Sequence, residues 1–251
     1  MKKRKFTRHV TSKWAKTRVL LKCGTLRSYI PETRKMSRQT LQEMLQHYGM
    51  VYVKPNSGTY GNGVIKVEQG ASGYGFHAGT KVRSFDGYDE LYEALGRRIK
   101  SRFYLVQKGI HLLKYKERKF DLRVMVQKNL SGRWECTGMI GRVAAPGKAV
   151  TNVHNGGKLV SVEQLLSGHA SSARVKSLQR RLRRIGLTAA KKLHAKYPGI
   201  KEVGLDVALD SGLHPWILEA NTRPDPFIFR KLKDRRIFSR IYRYAKAYGR
   251  V

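Results

Sequence analysis

Negative charge is what this sequence has least of: 17 Asp and Glu stand against 52 Lys and Arg in 251 residues, a formal charge of +35. That balance implies attraction to polyanions, whether nucleotides, nucleic acid, anionic polymers or acidic peptides, and charge alone does not choose among them. Cysteine is nearly absent. Cys23 and Cys136 have no CxxC spacing and no histidines at metal-ligand intervals, which excludes a disulfide framework and a zinc site and fits a reducing cytoplasm. No run of about 18 apolar residues occurs, so no membrane span is expected. The basic start, Met1-Lys2-Lys3-Arg4-Lys5, has no apolar stretch behind it, so a soluble cytoplasmic protein is expected. Internal repeats and low-complexity tracts are also missing. What is present is a hydrophobic content of 41%, enough to bury a core and to exclude disorder, in a length that suits one large domain or two lobes sharing a cleft.

Periodicity places the elements. Residues 1–36 are mixed and basic, with one apolar cluster at Val19-Leu20-Leu21 and an extended Tyr29-Ile30-Pro31. Ser37 reads as an N-cap, Leu41, Met44, Leu45 and Tyr48 recur at helical spacing, and Gly49 is a stop. A strand, Met50 to Lys54, ends at Pro55 because proline cannot donate to a ladder. A glycine turn and a second strand, Val64 to Glu68, complete a hairpin. A helix is predicted over Tyr88 to Ile99, a strand over Phe103 to Gln107, and a hairpin from Leu122–Gln127 and Trp134–Ile140 around Asn129 to Gly132. The longest helix runs from about Val175 to Lys196. A closing hairpin, Glu202–Ala208 and Trp216–Ala220, precedes a basic C-terminal helix. Hairpin strands with helices interspersed predict an α+β architecture of mostly antiparallel sheets.

Against this basic background one window keeps its acids: Glu202 to Asp225 holds Glu202, Asp206, Asp210, Glu219 and Asp225 against a single base, Arg223. A turn centred near Gly212 and Leu213 sets Asp206 opposite Glu219 across the antiparallel pair, and Asn221 projects from the same face as Glu219. Two carboxylates and an amide oxygen make a hard-oxygen cluster of the kind that Mg2+ accepts, with water and phosphate oxygens completing its shell. A pair of solvated strands that carries acids would look similar. The apolar frame around them, Val203-Gly-Leu-Asp-Val-Ala-Leu and Trp216-Ile-Leu-Glu-Ala-Asn, makes an unpaired charge there expensive, and a cation relieves that cost. Asn56 to Gly63, with Gly58, Gly61 and Gly63, lies between strands, so it is neither a Walker A loop nor a Rossmann fingerprint. Its backbone N–H groups can approach phosphate without a Cβ in the way. Lys54, at the end of a buried-type strand, needs an anion for its ammonium.

Val53-Lys54-Pro55, the glycine loop, Gly204-Leu-Asp206 and Leu218-Glu219-Ala-Asn221 together resemble the ATP-grasp signature. More narrowly, Ser12-Lys13-Trp14, Tyr29-Ile-Pro-Glu-Thr33, Phe120-Asp-Leu-Arg-Val124, Thr151 to Gly157 and Glu219-Ala-Asn-Thr-Arg-Pro224 resemble the YheC/YheD endospore coat-associated family. The resemblance implies an ATP-grasp fold with a basic N-terminal segment (1–36), a small lobe with the glycine-rich loop (37–110), and a large lobe with the metal site and C-terminal basic helix (111–251). It implies ATP and Mg2+ as cofactors, with Asp206, Glu219 and Asn221 at the metal-ligand positions and Lys54 at that of the phosphate lysine. Lys13 and Lys16 compete for the upstream nucleotide lysine, and the backbone near Gln107 and Lys108 reads the adenine edge. Gln107-Lys108-Gly109 stands where many relatives place an acid, so no ribose contact is assigned.

The implied activity is activation of a carboxylate as an acyl phosphate that an amine then attacks. Arg123 and Arg142 are candidates to hold the phosphoryl group, and Asn152 and His154 are secondary, His154 reading better as a turn residue beside Gly156-Gly157. ATP-grasp ligases usually carry a further domain before the Ser12-Lys13-Trp14 position, so part of the substrate side is expected elsewhere. Two other readings stand beside the ligase: a non-catalytic, spore-associated protein that retains the fold, and a nucleic-acid or polyanion binder motivated by +35 and the basic helices.

Overall fold

The computed structural model describes residues 8–58, 61–99, 103–146 and 157–251; Asn152 and His154, and Thr59 and Tyr60 of the glycine loop, lie outside them. The chain opens with helices α1 (Lys13–Leu21) and α2 (Gly24–Arg27). Strand β1 (Thr33–Lys35), helix α3 (Arg38–Tyr48), strands β2 (Met50–Pro55), β3 (Ile65–Gly70), β4 (Gly73–Ala78) and β5 (Lys81–Phe85), helix α4 (Tyr88–Ile99) and strand β6 (Tyr104–Lys108) follow. The strands form one antiparallel sheet in the order β1-β6-β2-β3-β4-β5. Helix α3 starts where Ser37 accepts a hydrogen bond from the Thr40 N–H, and it ends at Gly49 with φ +66°, a left-handed position that suits glycine. Its Leu41, Met44 and Leu45, together with Leu91 and Leu95 of α4, bury against Val51, Val53, Val67 and Val106 of the sheet. Each such leucine contributes roughly 1.5–3 kcal/mol of apolar burial.

The second sheet is built from β8 (Arg118–Lys128), β9 (Trp134–Val143), β10 (Lys158–Val160), β11 (Glu202–Leu209) and β12 (Pro215–Asn221), ordered β10-β9-β8-β11-β12, with the short β7 (Lys114–Tyr115) pairing β8. After β10 come α5 (Val162–Leu166) and the long α6 (Ser172–Lys196), which lays Val175, Leu178, Leu182, Ile185, Ala189 and Leu193 on one face of this sheet. Gly186 permits the approach: a Cβ there would meet Val126 Cγ2 at 2.8 Å. On the opposite face, the 3-10 turn Phe227–Lys231 and helix α7 (Arg235–Ala247) pack Phe229, Leu232 and Ile241 onto Met125 and Ile140. Glu202, fully buried, ties the chain end down by accepting hydrogen bonds from Tyr248 Oη at 2.8 Å and Arg250 Nε at 2.9 Å.

Besides the short β7, β10 and α5, which the sequence reading left unassigned, two larger regions differ from it. Residues 69–87, left unassigned, add β4 and β5 to the first sheet. The mixed N-terminal segment folds into α1 and α2, whose Leu20, Leu26 and following Ile30 join the core of the second sheet. Helix α1 buries Lys13 and Lys16 along with Leu20, so its inward face carries charge and the apolar periodicity that marks a helix is missing. It forms because Ser12 caps it, accepting from the Ala15 N–H, and because its N-terminus docks on Asn56: the Lys13 N–H donates to Asn56 O at 2.8 Å and the Trp14 N–H to Asn56 Oδ1 at 2.9 Å.

Candidate functional site

The residues that end β2 and β12 face each other across a cleft of about 380 Å³. Lys13, Pro55, Gly58, Gly61 and Asn62 line one wall, and Arg123, Arg142, Asp206, Glu219, Asn221 and Arg223 line the other. The glycine loop turns through Gly61 (φ +72°) and Gly63 (φ +77°), backbone conformations that a side chain resists. Gly63 itself packs beneath the loop, where a Cβ would lie 3.1 Å from Tyr104 Oη.

The second wall is the β8–β9–β11–β12 ribbon. Asp206 pairs in register with Glu219 on one side and Arg123 on the other, and Asn221 lies opposite Gly204. Arg123 Nε donates to Asp206 Oδ1 at 2.6 Å. Arg142 donates from Nε to Asp121 Oδ1 at 2.8 Å and reaches Asp206 Oδ2 at 3.1 Å with Nη2. Asn221 Nδ2 donates to Asp206 Oδ2 at 3.3 Å. Burial pushes the Asp206 carboxyl up, but Arg123 and Arg142 outweigh it and hold the group below its ordinary value. For Arg142 burial acts to discharge the guanidinium, and Asp121 and Asp206 more than reverse that. Both arginines are buried, not scattered on the surface, because each sits opposite a carboxylate on the neighbouring strand.

Lys54 and Gln107 belong to a small recess behind the cleft, shared with Lys16, Thr33 and Glu219. Lys54 Nζ donates to Gln107 Oε1 and to Leu218 O, the latter at 3.2 Å, and Gln107 Nε2 donates to Thr33 Oγ1 at 2.9 Å. Burial, opposed in part by Glu219, lowers both Lys54 and Lys16 to about 8. Lys13 bridges the two walls, donating to Gly58 O at 2.8 Å and lying 3.3 Å from Glu219 Oε1. The side chain of Lys108 turns away, over the rings of Tyr48 and Trp216, so only its backbone stays with the recess strand. Among the described residues no group of three or more His, Cys, Asp or Glu side chains gathers to hold a metal. The oxygen donors here are two carboxylates and an amide. That set fits a hard cation that keeps water and substrate oxygens in its shell, and it would not form an all-protein cage.

Two partners of this network, Asp121 and Thr33, and two further residues of the cleft, Arg223 and Arg250, went unassigned in the sequence. Asp121 lies inside the quoted Phe120-Asp-Leu-Arg stretch and pairs with Arg142. Thr33 orients Gln107, and Arg223 and Arg250 line the cleft. Nothing in the local pattern marks Arg250.

A family model described as YheC/D like ATP-grasp matches residues 2–251. The chain belongs to the YheC/D-like ATP-grasp family. Among characterised relatives, this family member is 25% identical to the endospore coat-associated protein YheD of Bacillus subtilis over 231 residues, and 23% identical to its endospore coat-associated protein YheC over 222 residues. Those matches cover 89% and 86% of the chain but 50% and 61% of the relatives, so the chain spans about half to three-fifths of their length. Its fold is that of ATP-grasp ligases. D-cycloserine synthetase DcsG superposes with a TM-score of 0.57 at 12% identity, covering 96% of the chain and 70% of that structure. D-alanine-D-alanine ligase from Coxiella burnetii gives 0.53 at 13% identity, covering 96% and 58%. N5-carboxyaminoimidazole synthase from Aspergillus clavatus, solved with ADP, gives 0.52 at 13% identity, covering 85% and 44%.

Proposed function

We propose that this chain binds Mg·ATP in the cleft and works as an ATP-dependent ligase-like enzyme that joins a carboxylate to an amine through an acyl phosphate. One observation carries the reading: a glycine loop with Lys13 faces two arginines and the Asp206, Glu219 and Asn221 oxygens across a single cleft, with Lys54 in the recess behind it. In this reading the backbone N–H groups around Gly58, Gly61 and Gly63 approach the phosphates while Lys13 and Lys54 neutralise them. The backbone at Gln107 and Lys108 meets the adenine edge. Asp206, Glu219 and Asn221 hold Mg2+, which supplies charge neutralisation on the triphosphate. Arg123 and Arg142 orient the transferring phosphoryl group and the acyl phosphate, and their fixed positions on adjacent strands spare reorganisation during the reaction.

The carboxylate and the amine are both unidentified. Incubation with ATP, Mg2+ and a panel of amino acids and peptides tests the reading: ADP release that requires an acid supports it, and AMP release or no turnover with any acid counts against it. A non-catalytic spore protein that retains the fold is the alternative. Keeping an oxygen-bearing side chain at all three metal-ligand positions argues against it. By their names the two Bacillus relatives are coat-associated, and the reading extends that association to this chain. Attraction of polyanions to basic faces such as α6, which carries no Asp or Glu, is a secondary property in this reading. It should weaken steeply with salt.

A further inference from the structure

Strand β9 is paired unequally on its two edges. It pairs with β8 from Trp134 to Val143, whereas β10 reaches only Gly141 to Val143. Past Val160 the chain leaves the sheet, because Ser161 accepts from the Gln164 N–H and caps α5. Among the described residues no strand pairs with the rest of that edge, Trp134 to Ile140. A cavity of about 640 Å³ opens along it and shares no lining residue with the cleft. Cys136, Gly138 and Met139 line it from β9, Gln179 and Arg183 from α6, and Leu232, Ile237 and Arg240 from the layer of α7. Those two layers cover opposite faces of the sheet. Met139 packs with the α6 core, and a Cβ on Gly138 would meet Phe229 at 2.9 Å and Ile237 at 3.0 Å. The cavity therefore straddles the sheet edge, and Leu159, Val160 and Ser161 line it where β10 stops.

An open edge carries backbone groups that need partners. One is met by a side chain: at the bulge, where Thr137 has no partner on β8, Arg240 Nη2 donates to Thr137 O at 2.8 Å. The charges around the edge favour an acid. Glu163 and Asp234 line the cavity but are engaged, Glu163 accepting from Gln179 Nε2 at 2.6 Å and Asp234 from Arg236 Nε at 2.9 Å. Of the cations that line it, Arg240 has Glu135 at 3.4 Å, while Arg183, Lys231 and Lys233 make no ion pair among the described residues. The buried Nε of Arg240 has no hydrogen-bond partner among them either. A second copy of so basic a chain would bring further positive charge to this edge, which argues against self-pairing.

We infer that this edge takes up an acidic, extended peptide segment of a partner protein as an added strand. The segment continues the line of β10, its backbone pairs with β9 along Cys136 to Ile140, and its carboxylates meet Arg183, Lys231, Lys233 and Arg240. Apolar side chains between the acids pack on Met139 from one face and on Leu232 and Ile237 from the other. The inference goes beyond the ligase-like reading and does not depend on it, since no residue of the cleft takes part.

The test has to separate strand addition from the general pull of a basic surface on an acid. The probe is a fluorescein-labelled peptide of alternating Glu and Val, titrated with the full chain by fluorescence anisotropy at about 0.3 M salt, where exposed charges are screened. Two further versions carry backbone N-methyl groups on alternate residues, one along each edge of the peptide. The expected result is saturable binding that one N-methylated version loses on the order of tenfold or more while the other retains it, because only one edge faces β9. Arg183→Ala, an exposed position whose variant should melt like the wild type, should weaken binding on the order of threefold to tenfold. Hydrogen–deuterium exchange with saturating peptide should slow the amides of residues 136–140 on the order of tenfold. Equal binding of all three peptides, or binding with no added protection at residues 136–140, would show charge attraction alone and overturn the inference. Absence of saturable binding would overturn it as well.

Discussion

The two walls of the cleft hold their charges in opposite ways. On the β8–β9–β11–β12 wall, Arg123, Arg142, Asp121 and Asp206 form a closed network in which each buried charge has an opposite charge within 3.1 Å. In the recess behind the other wall, where β2 meets β6, Lys54 is as deeply buried but is bonded only to neutral oxygens, Gln107 Oε1 and the Leu218 carbonyl. The first arrangement keeps its ions charged without help. The second lacks a partner in direct contact, and burial drives Lys54 to about 8. A recess with an uncompensated lysine gains from an incoming anion, whereas the paired wall offers fixed charge to a reacting group.

That contrast can be broken at several points. The largest effect is expected from Asp121→Ala, which leaves the buried Arg142 guanidinium with only Asp206, a carboxylate it shares with Arg123, and should cost about 3–5 kcal/mol of stability by urea denaturation. A loss below about 1 kcal/mol would show that the network is not the closed unit described. Next, Lys54→Met removes the uncompensated ammonium and should weaken Mg·ATP binding on the order of tenfold or more by calorimetry. Unchanged affinity would move the anion site away from that lysine.

The pH dependence follows from the same burial. Lys54 and Lys16 release their protons near 8 in the folded chain, against 10.5 as the ordinary lysine value. Between those values the unfolded chain binds more protons, so stability without nucleotide should rise as pH increases from about 8 towards 10.5. Nucleotide affinity should fall over the same range, because the neutral amines no longer attract phosphate. Thermal melts with and without Mg·ATP at several pH values would separate the two trends. The smallest effect is expected far from the cleft. Arg97 and Glu93 pair at 3.8 Å with both side chains about two-thirds exposed, and Arg97→Ala should change stability by less than about 0.5 kcal/mol.

Much of this was readable in the residues, and the exceptions share a cause. The stripes of α3, α4 and α6 are apolar at helical spacing, so those helices could be placed within a few residues. The Asp206–Glu219 pair was expected from a turn near Gly212 and Leu213; the pairs next to the turn, Val207 with Ile217 to Leu209 with Pro215, centre on Gly212 instead, and a register shift between Asp206 and Val207 restores the expected partner. Helix α1 was not legible because its inward face is Lys13 and Lys16, residues that read as surface until the cleft beside them is known. The pairing of Arg142 with Asp121 was equally hidden, since it depends on the register of β8 against β9, which a bulge shifts between Met125 and Val126. Arg250 reaches the cleft only because Glu202 and Tyr248 fold the chain end back onto β11, a long-range arrangement that leaves no local trace.

The central claim is that the carboxylates of the β11–β12 ribbon and the lysines opposite take up Mg·ATP together. A thermal-shift titration with ATP, with and without Mg2+, on the wild type and on Glu219→Gln tests it most directly. The account predicts a Mg2+-dependent rise in Tm for the wild type that is lost in Glu219→Gln, with the fold of the variant intact by circular dichroism. An equal rise in both proteins would contradict it.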